Sequence, residues 1–104
     1  MELYGYGYRK NCFGEIRFFE DDVIVTSEGS ARKALNRAFD KMIRNEGFSF
    51  KAVSDIGQTW AISRSPEDRE AGTFTVLYSK SWNSTDFPVK MKRAEIIRVL
   101  IDNI

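Results

Sequence analysis

Lysine and arginine side chains at helical spacing are the strongest chemical signal in this sequence. Four of them recur every three or four residues: Lys33, Arg37, Lys41 and Arg44. With about 100° between successive residues of an α-helix, all four fall within roughly 80° of one another. Asp40 is the only acid in this stretch, so regular i to i+4 ion pairs do not neutralise the basic residues. The pattern predicts a cationic helix face that contacts phosphates or an acidic protein; a solvated face without a partner is the alternative.

Tyrosine is the second residue type whose spacing suggests binding. Tyr4, Tyr6 and Tyr8 alternate along one predicted strand and are followed by Arg9, while Arg17 lies on the next strand. On an exposed sheet face, tyrosines can stack bases beside arginines that pair phosphates, or can anchor a protein interface. The alternative, which stays equally open, is that the three tyrosines face the core. The predicted partner-binding residues are Lys33, Arg37, Lys41, Arg44, Tyr4, Tyr6, Tyr8, Arg9 and Arg17.

Residues for catalysis are scarce in the sequence. Histidine is absent, which removes the commonest general base and the commonest metal ligand. Cys12 is the single cysteine and has no histidine with which to form a thiol protease pair or a zinc site. Carboxylates occur around positions 20–22, 67–70 and 86, and the first group lacks the alternating spacing and glycine of a calcium loop. We therefore predict no catalytic residue, no metal site and no cofactor, and we expect that the protein is not an enzyme.

The composition predicts one independent domain spanning residues 1–104. The chain is 42% apolar and contains eight phenylalanines, which is enough for a core without disulfides or metals. Sixteen basic and fifteen acidic residues give a formal net charge of +1, so no global field attracts nucleic acid or an anionic membrane. The lone cysteine, the start without a signal-peptide pattern and the short apolar runs predict a cytoplasmic protein that does not enter membranes.

Alternation and helical periodicity predict the order β-β-β-α-β-β-β-α. The predicted strands are residues 2–10, 15–18, 23–26, 48–52, 60–63 and 74–78, with a turn at the acidic cluster 20–22. The first helix follows the segment Ser27–Ser30 and ends before Gly47, and the second begins near Lys90. Residues 65–72 and 82–88 are predicted to be irregular because of their prolines and charges.

This order predicts an α+β fold, with an antiparallel sheet of five to six strands and two helices packed on one face. The helices should cover that face with four apolar residues: Leu35, Phe39, Ile97 and Leu100. The opposite face would stay half-exposed and able to bind. A strand edge at residues 2–10 or 73–79 is expected to be exposed, where a second copy could pair to form a homodimer.

The sequence favours a non-catalytic binding protein that works by surface contact. A small inhibitor or adaptor of a protein or nucleoprotein partner, of the kind made by phages and mobile elements, fits the size and the lack of catalytic groups. The alternative is a nucleic-acid-binding domain that uses the cationic helix face and the Tyr-Gly strand. The near-zero net charge favours the protein partner, because nucleic-acid-binding domains usually carry a clear basic excess.

Overall fold

Pairs of strands alternate with single helices along the described part of this chain. The structure is a computed structural model that describes residues 1–11, 14–44, 47–80 and 88–104, and within residues 6–23 it describes the backbone alone. The strands are β1 (Glu2–Asn11), β2 (Gly14–Ile24), β3 (Ser49–Val53), β4 (Thr59–Ser63), β5 (Phe74–Ser79) and β6 (Val89–Met91). The helices are α1 (Glu28–Arg44), α2 (Pro66–Ala71) and α3 (Arg93–Asp102). Neither α1 nor any other described helix has the length and apolar character needed to cross a membrane.

All of these strands belong to one antiparallel sheet. Their order is β2-β1-β3-β4-β5-β6, and each strand runs antiparallel to its neighbours. Strands that are adjacent in the sheet mostly follow one another in sequence; the exception is β1 with β3, which are separated by β2 and α1. The prediction of an α+β fold built on an antiparallel sheet of five to six strands is confirmed.

One face of the sheet is buried beneath α1 and α3. Side chains alternate across a pleated strand, and the register places Leu3 beside Ala52 and Ala52 beside Trp60 on this face. All three are buried. The helices contribute the four predicted residues, all of them buried: Leu35, Phe39, Ile97 and Leu100. The prediction that both long helices pack on one face is confirmed.

Phe39 of α1 lies in the centre of this core. Its ring is fully buried, at 0% exposure, and meets the ring of Phe50 edge-on with 5.2 Å between centroids. The ring of Phe74 lies 4.8 Å away, also edge-on. Aromatic pairs in this geometry add about 0.5–1.5 kcal/mol each beyond the burial of their area. The position of Phe39 therefore fixes which side of α1 faces the sheet.

The predicted third strand at residues 23–26 is wrong, because the chain does not turn at the acidic cluster 20–22. Strand β2 runs through this cluster, and its pairing with β1 skips Glu20 between Phe19 and Asp21. A skipped residue of this kind is a β-bulge, which accommodates one extra residue without ending the strand. Two predicted strands therefore merge into one.

The prediction that residues 65–72 form an irregular loop is also wrong, because this segment contains α2. Ser65 caps the helix: its hydroxyl accepts from the N–H of Asp68 at 3.2 Å, and its own N–H donates to the carboxylate of Asp68 at 2.9 Å. Pro66 follows at the first helical position, where a missing N–H costs nothing. Gly72 ends the helix in the left-handed conformation, with φ of 72°. The proline, the charged residue Asp68 and the glycine, which in the sequence indicate a loop, thus stabilise the two ends of a short helix.

The outer strands of the sheet differ from the predicted ones. The expected exposed edges at residues 2–10 and 73–79 are wrong for only part of each strand: in the described ladders β1 also pairs with β3 at Glu2–Tyr6, and β5 also pairs with β6 at Phe74–Val76. The outer strands are β2 and β6. Strand β6 precedes the C-terminal helix, which begins at Arg93 rather than near Lys90. The predicted irregular stretch 82–88 lies outside the described residues except for Pro88. Cys12 also lies outside them.

A buried carboxylate joins α2 to the sheet. Asp68 is 1% exposed, and it accepts hydrogen bonds from the hydroxyls of Thr73 at 2.9 Å and Thr75 at 2.7 Å. The ammonium of Lys90 on β6 lies 3.0 Å from the same carboxylate. Burial alone would raise the pKa of Asp68, but the backbone N–H of Ser65 and the other donors together hold it well below its usual range. The charged form of Asp68 is therefore part of the folded structure.

Asp68→Asn is expected to lower the free energy of unfolding near neutral pH by about 2–3 kcal/mol, because the amide loses the ion pair and faces hydroxyl donors with N–H groups. Since the pKa of Asp68 is lower in the folded chain than in the unfolded chain, its stabilisation is complete above about pH 4 and declines below it. Urea unfolding should therefore show the gap between wild type and variant narrowing from about pH 4 to pH 2.

The matched control for Asp68 is Glu67→Gln, which alters an exposed carboxylate in the same helical turn. It should change the free energy of unfolding by less than about 0.5 kcal/mol. A gap between wild type and Asp68→Asn that stays constant across this pH range would contradict the role assigned to the charged carboxylate.

Candidate partner-binding site

The basic residues of helix α1 face solvent because the opposite side of the helix is buried in the core. The helix begins with a reciprocal cap, in which Ser30 N–H donates to the hydroxyl of Ser27 and Ser27 N–H donates to the hydroxyl of Ser30, each at 3.3 Å. Its buried side consists of Ala31, Leu35, Phe39 and Met42. Residues about half a turn away from that side must face solvent.

The four predicted basic residues lie together on that outer side of α1, and we call them the cationic face: Lys33, Arg37, Lys41 and Arg44. Lys33 and Arg37 are exposed, and neither makes a hydrogen bond or an ion pair within the described ranges. The side chain of Lys41 is half-buried, with its ammonium 5.8 Å from the centroid of the Phe48 ring. The Nε of Arg44 donates to the backbone carbonyl of Asp40 at 3.3 Å. Lys33 and Arg37 are thus the most available cations of the face.

Asp40 does not neutralise the cationic face, because its carboxylate is turned toward α3. Arg93, the first residue of α3, donates to Asp40 Oδ1 at 3.0 Å. The same guanidinium donates to the backbone carbonyl of Asn36 at 3.1 Å and to its side-chain oxygen at 2.8 Å, and it stacks over the Phe39 ring at 5.2 Å. The one acid within the basic stretch is therefore paired between helices.

A groove runs beside the cationic face, between α1 and the strands β1 and β3. Its volume is about 280 Å³. The side chains that line it are mostly apolar: Leu3, Ala34, Ala38, Phe48 and Phe50. Lys33 and Arg37 also line the groove and are exposed, which places their charges at its mouth. The structure thus combines an apolar groove with the two most available cations of α1.

The sequence pattern did not reveal this groove, because it arises from small residues that meet only in the fold. Ala34 and Ala38 are one turn apart on α1, and Gly5 lies across from them on β1. None of these residues has a side chain long enough to fill the space between helix and sheet. Alanine four residues after alanine, beside a cationic stripe, was the available signal.

Of the predicted tyrosine stripe, Tyr4 alone has a described side chain, and it does not lie on the cationic face, although Tyr4 is one of the residues that line the groove. Tyr4 pairs with Lys51 in the register, which places it on the sheet face opposite the helices, where it is half-buried. Its hydroxyl donates to the carboxylate of Glu2, and the ammonium of Lys51 lies 5.7 Å from its ring centroid. The alternative that the stripe faces the core is therefore wrong for Tyr4. The remaining predicted side chains lie outside the described ones: Tyr6, Tyr8, Arg9 and Arg17.

Comparisons of the chain with protein-family models, with curated proteins and with solved structures found no match. Within the described ranges, no group of three or more metal-ligating side chains is placed to hold an ion. What the site offers chemically is apolar surface beside positive charge.

Arg93→Ala should lower the free energy of unfolding by about 1–2 kcal/mol, because it removes three hydrogen bonds between the two helices. Most of this effect should come from Asn36 and Phe39, since Asp40 is 56% exposed and an exposed ion pair contributes little. Arg98→Ala, on the exposed side of α3, is the control and should change the value by less than about 0.5 kcal/mol. Equal unfolding midpoints in urea for the two variants would contradict this assignment.

Proposed function

We propose that this chain is a non-catalytic binding protein whose cationic face contacts an acidic surface of a macromolecular partner. It acts as a small inhibitor or adaptor, by occupying a surface rather than by chemistry. The observation that carries the proposal is the state of Lys33 and Arg37, which are exposed, lie one helical turn apart and make no ion pair within the described residues.

Two such cations suit carboxylate recognition. A guanidinium can form two parallel hydrogen bonds with one carboxylate, and an ammonium one turn away adds a second point of attraction. Charges at the rim of an interface mainly raise the association rate and suppress wrong partners, while contributing little affinity by themselves. The partner must therefore gain most of its affinity from surface next to these two residues.

A protein partner is favoured over nucleic acid. The net charge is +1, whereas duplex binding with strong salt dependence commonly involves roughly 6–10 phosphate contacts. The side chain of Tyr4 lies on the sheet face opposite α1, so one nucleic acid would not stack on the Tyr4 ring and reach the cationic face together. We place the interaction in the cytoplasm, where a lone cysteine stays reduced.

Charge reversal on α1 tests the proposal. Wild type, the double variant Lys33→Glu with Arg37→Glu, and the control Lys92→Glu with Arg98→Glu are used to capture proteins from the cells that make the chain. Both double variants change the net charge equally, and the control residues are exposed at α3. Quantitative mass spectrometry should show an acidic protein recovered by wild type and control but reduced at least about tenfold with the α1 variant. Equal recovery by the two double variants would contradict the proposal.

The nucleic-acid alternative predicts a different result with the same proteins. For duplex DNA, the logarithm of the binding constant falls with the logarithm of salt concentration by about 0.9 for each phosphate contact. If all four residues of the cationic face contact phosphates, the slope of this plot in wild type has a magnitude of about 3.6. Substituting Lys33 and Arg37 by alanine would then reduce that magnitude by about 2. Such a slope, measured by fluorescence polarisation, would replace the protein partner with nucleic acid.

A further inference from the structure

We propose that the groove beside α1 receives one large apolar side chain from an acidic segment of the partner, with carboxylates on either side of it held by Lys33 and Arg37. This inference rests on the proposed function and specifies the recognised element: an extended or helical peptide segment that carries an aromatic anchor among acidic residues.

The size of the groove limits what it can hold. Its volume of about 280 Å³ exceeds the roughly 150 Å³ cavity that suits a benzene ring, and it falls just below the roughly 300–1,000 Å³ of sites for drug-sized molecules. A phenyl or indole side chain fits this range, whereas a long acyl chain or a dinucleotide needs more space. One anchor residue is therefore the appropriate occupant.

The chemistry of the lining selects an apolar anchor. The rings of Phe48 and Phe50 belong to the lining although both residues are buried in the core, and Ala34 adds a methyl group. The hydroxyl of Ser30, the polar side chain at one end, already donates to the carbonyl of Ser27 at 3.1 Å and accepts from its N–H at 3.3 Å. A base or sugar would enter with its hydrogen-bonding groups unmatched, which is costly. A phenyl ring carries no such cost, and an indole ring needs a partner only for its one N–H.

The charges at the mouth select the flanking residues. Lys33 and Arg37 belong to the groove lining and to the cationic face at once, so a segment anchored between α1 and β1 must pass beside both. An acidic residue next to the anchor would meet a cation that has no acid of its own within the described chain. One residue of the partner segment would thus be buried in the groove while its acidic neighbours pair with Lys33 and Arg37.

Filling the groove tests the inference. Ala34→Leu replaces a methyl group by an isobutyl group where the anchor would lie, and Ala94→Leu makes the same substitution at an exposed position of α3. The probe is a fluorescein-labelled synthetic peptide with one central tryptophan flanked by aspartate and glutamate. Fluorescence polarisation should show binding weakened at least about tenfold by Ala34→Leu and about threefold by Lys33→Ala with Arg37→Ala, but less than about twofold by Ala94→Leu.

A second arm leaves the protein unchanged, so it does not depend on how well the variants fold. The same peptide with alanine in place of tryptophan should bind wild type at least about tenfold more weakly, and a peptide with tryptophan flanked by lysine should not bind measurably. Amide chemical shifts in NMR titrations should change at Ala34, Ala38 and Phe48.

The outcomes separate the two proposals. If Ala34→Leu, folded as judged by its urea midpoint, binds the peptide as tightly as wild type, or if the alanine peptide binds equally well, the groove inference is overturned. The proposed function stands in that case if partner capture still depends on Lys33 and Arg37. Preferential, Ala34-sensitive binding of oleate or of single-stranded DNA over the acidic peptide would also overturn the inference.

Discussion

The burial of one side of α1 against the sheet is the constraint on which the rest of the structure depends. Phe39 has no exposed surface and contacts the rings of Phe50 and Phe74, which belong to strands on either side of β4. An α-helix cannot turn one side inward without turning the other outward. The same contact that closes the core therefore decides that Lys33 and Arg37 face solvent.

Charged groups in this protein fall into two classes according to what surrounds them. Asp68 and Arg93 connect elements: the carboxylate joins α2 to β5 and β6, and the guanidinium joins α3 to α1. Both have several hydrogen-bond partners, which offsets the cost of removing charge from water. Lys33 and Arg37 hold no other element in place within the described chain. Charge that contributes nothing to the fold is free to serve recognition.

Periodicity was enough to predict the fold class, the helical core and the cationic face. The spacing of Leu35 and Phe39 indicated the buried side of α1, and the alternation around Trp60 indicated a covered strand. The β-bulge was hidden, because an extra residue at Glu20 resembles a turn when only local alternation is read. Ser65 and Asp68 have the spacing of a capping box, which is a local signal for a helix start. The proline and the charged residues of 65–72 favoured a loop instead, so this signal was missed.

The groove beside α1 could be predicted least, because it depends on the distance between elements rather than on any one segment. Small residues at Gly5 and Ala34 become a cavity wall only when β1 lies beneath α1. The tyrosine stripe illustrates the same limit. Its alternation was visible in the sequence, but the face on which Tyr4 lies follows from its pairing with Lys51 on a strand more than forty residues away.

The contact between Arg93 and Asp40 also governs the electrostatic potential of a surface that neither residue was expected to control. Asp40 lies three residues after Arg37 and four before Arg44, positions from which a carboxylate readily pairs with a neighbour on its own helix. By holding that carboxylate on the far flank, α3 prevents such pairing. Evolutionary exchange at position 93 would therefore alter the charge presented by α1 without any change in the sequence of α1, so that drift in one helix changes the surface potential of another.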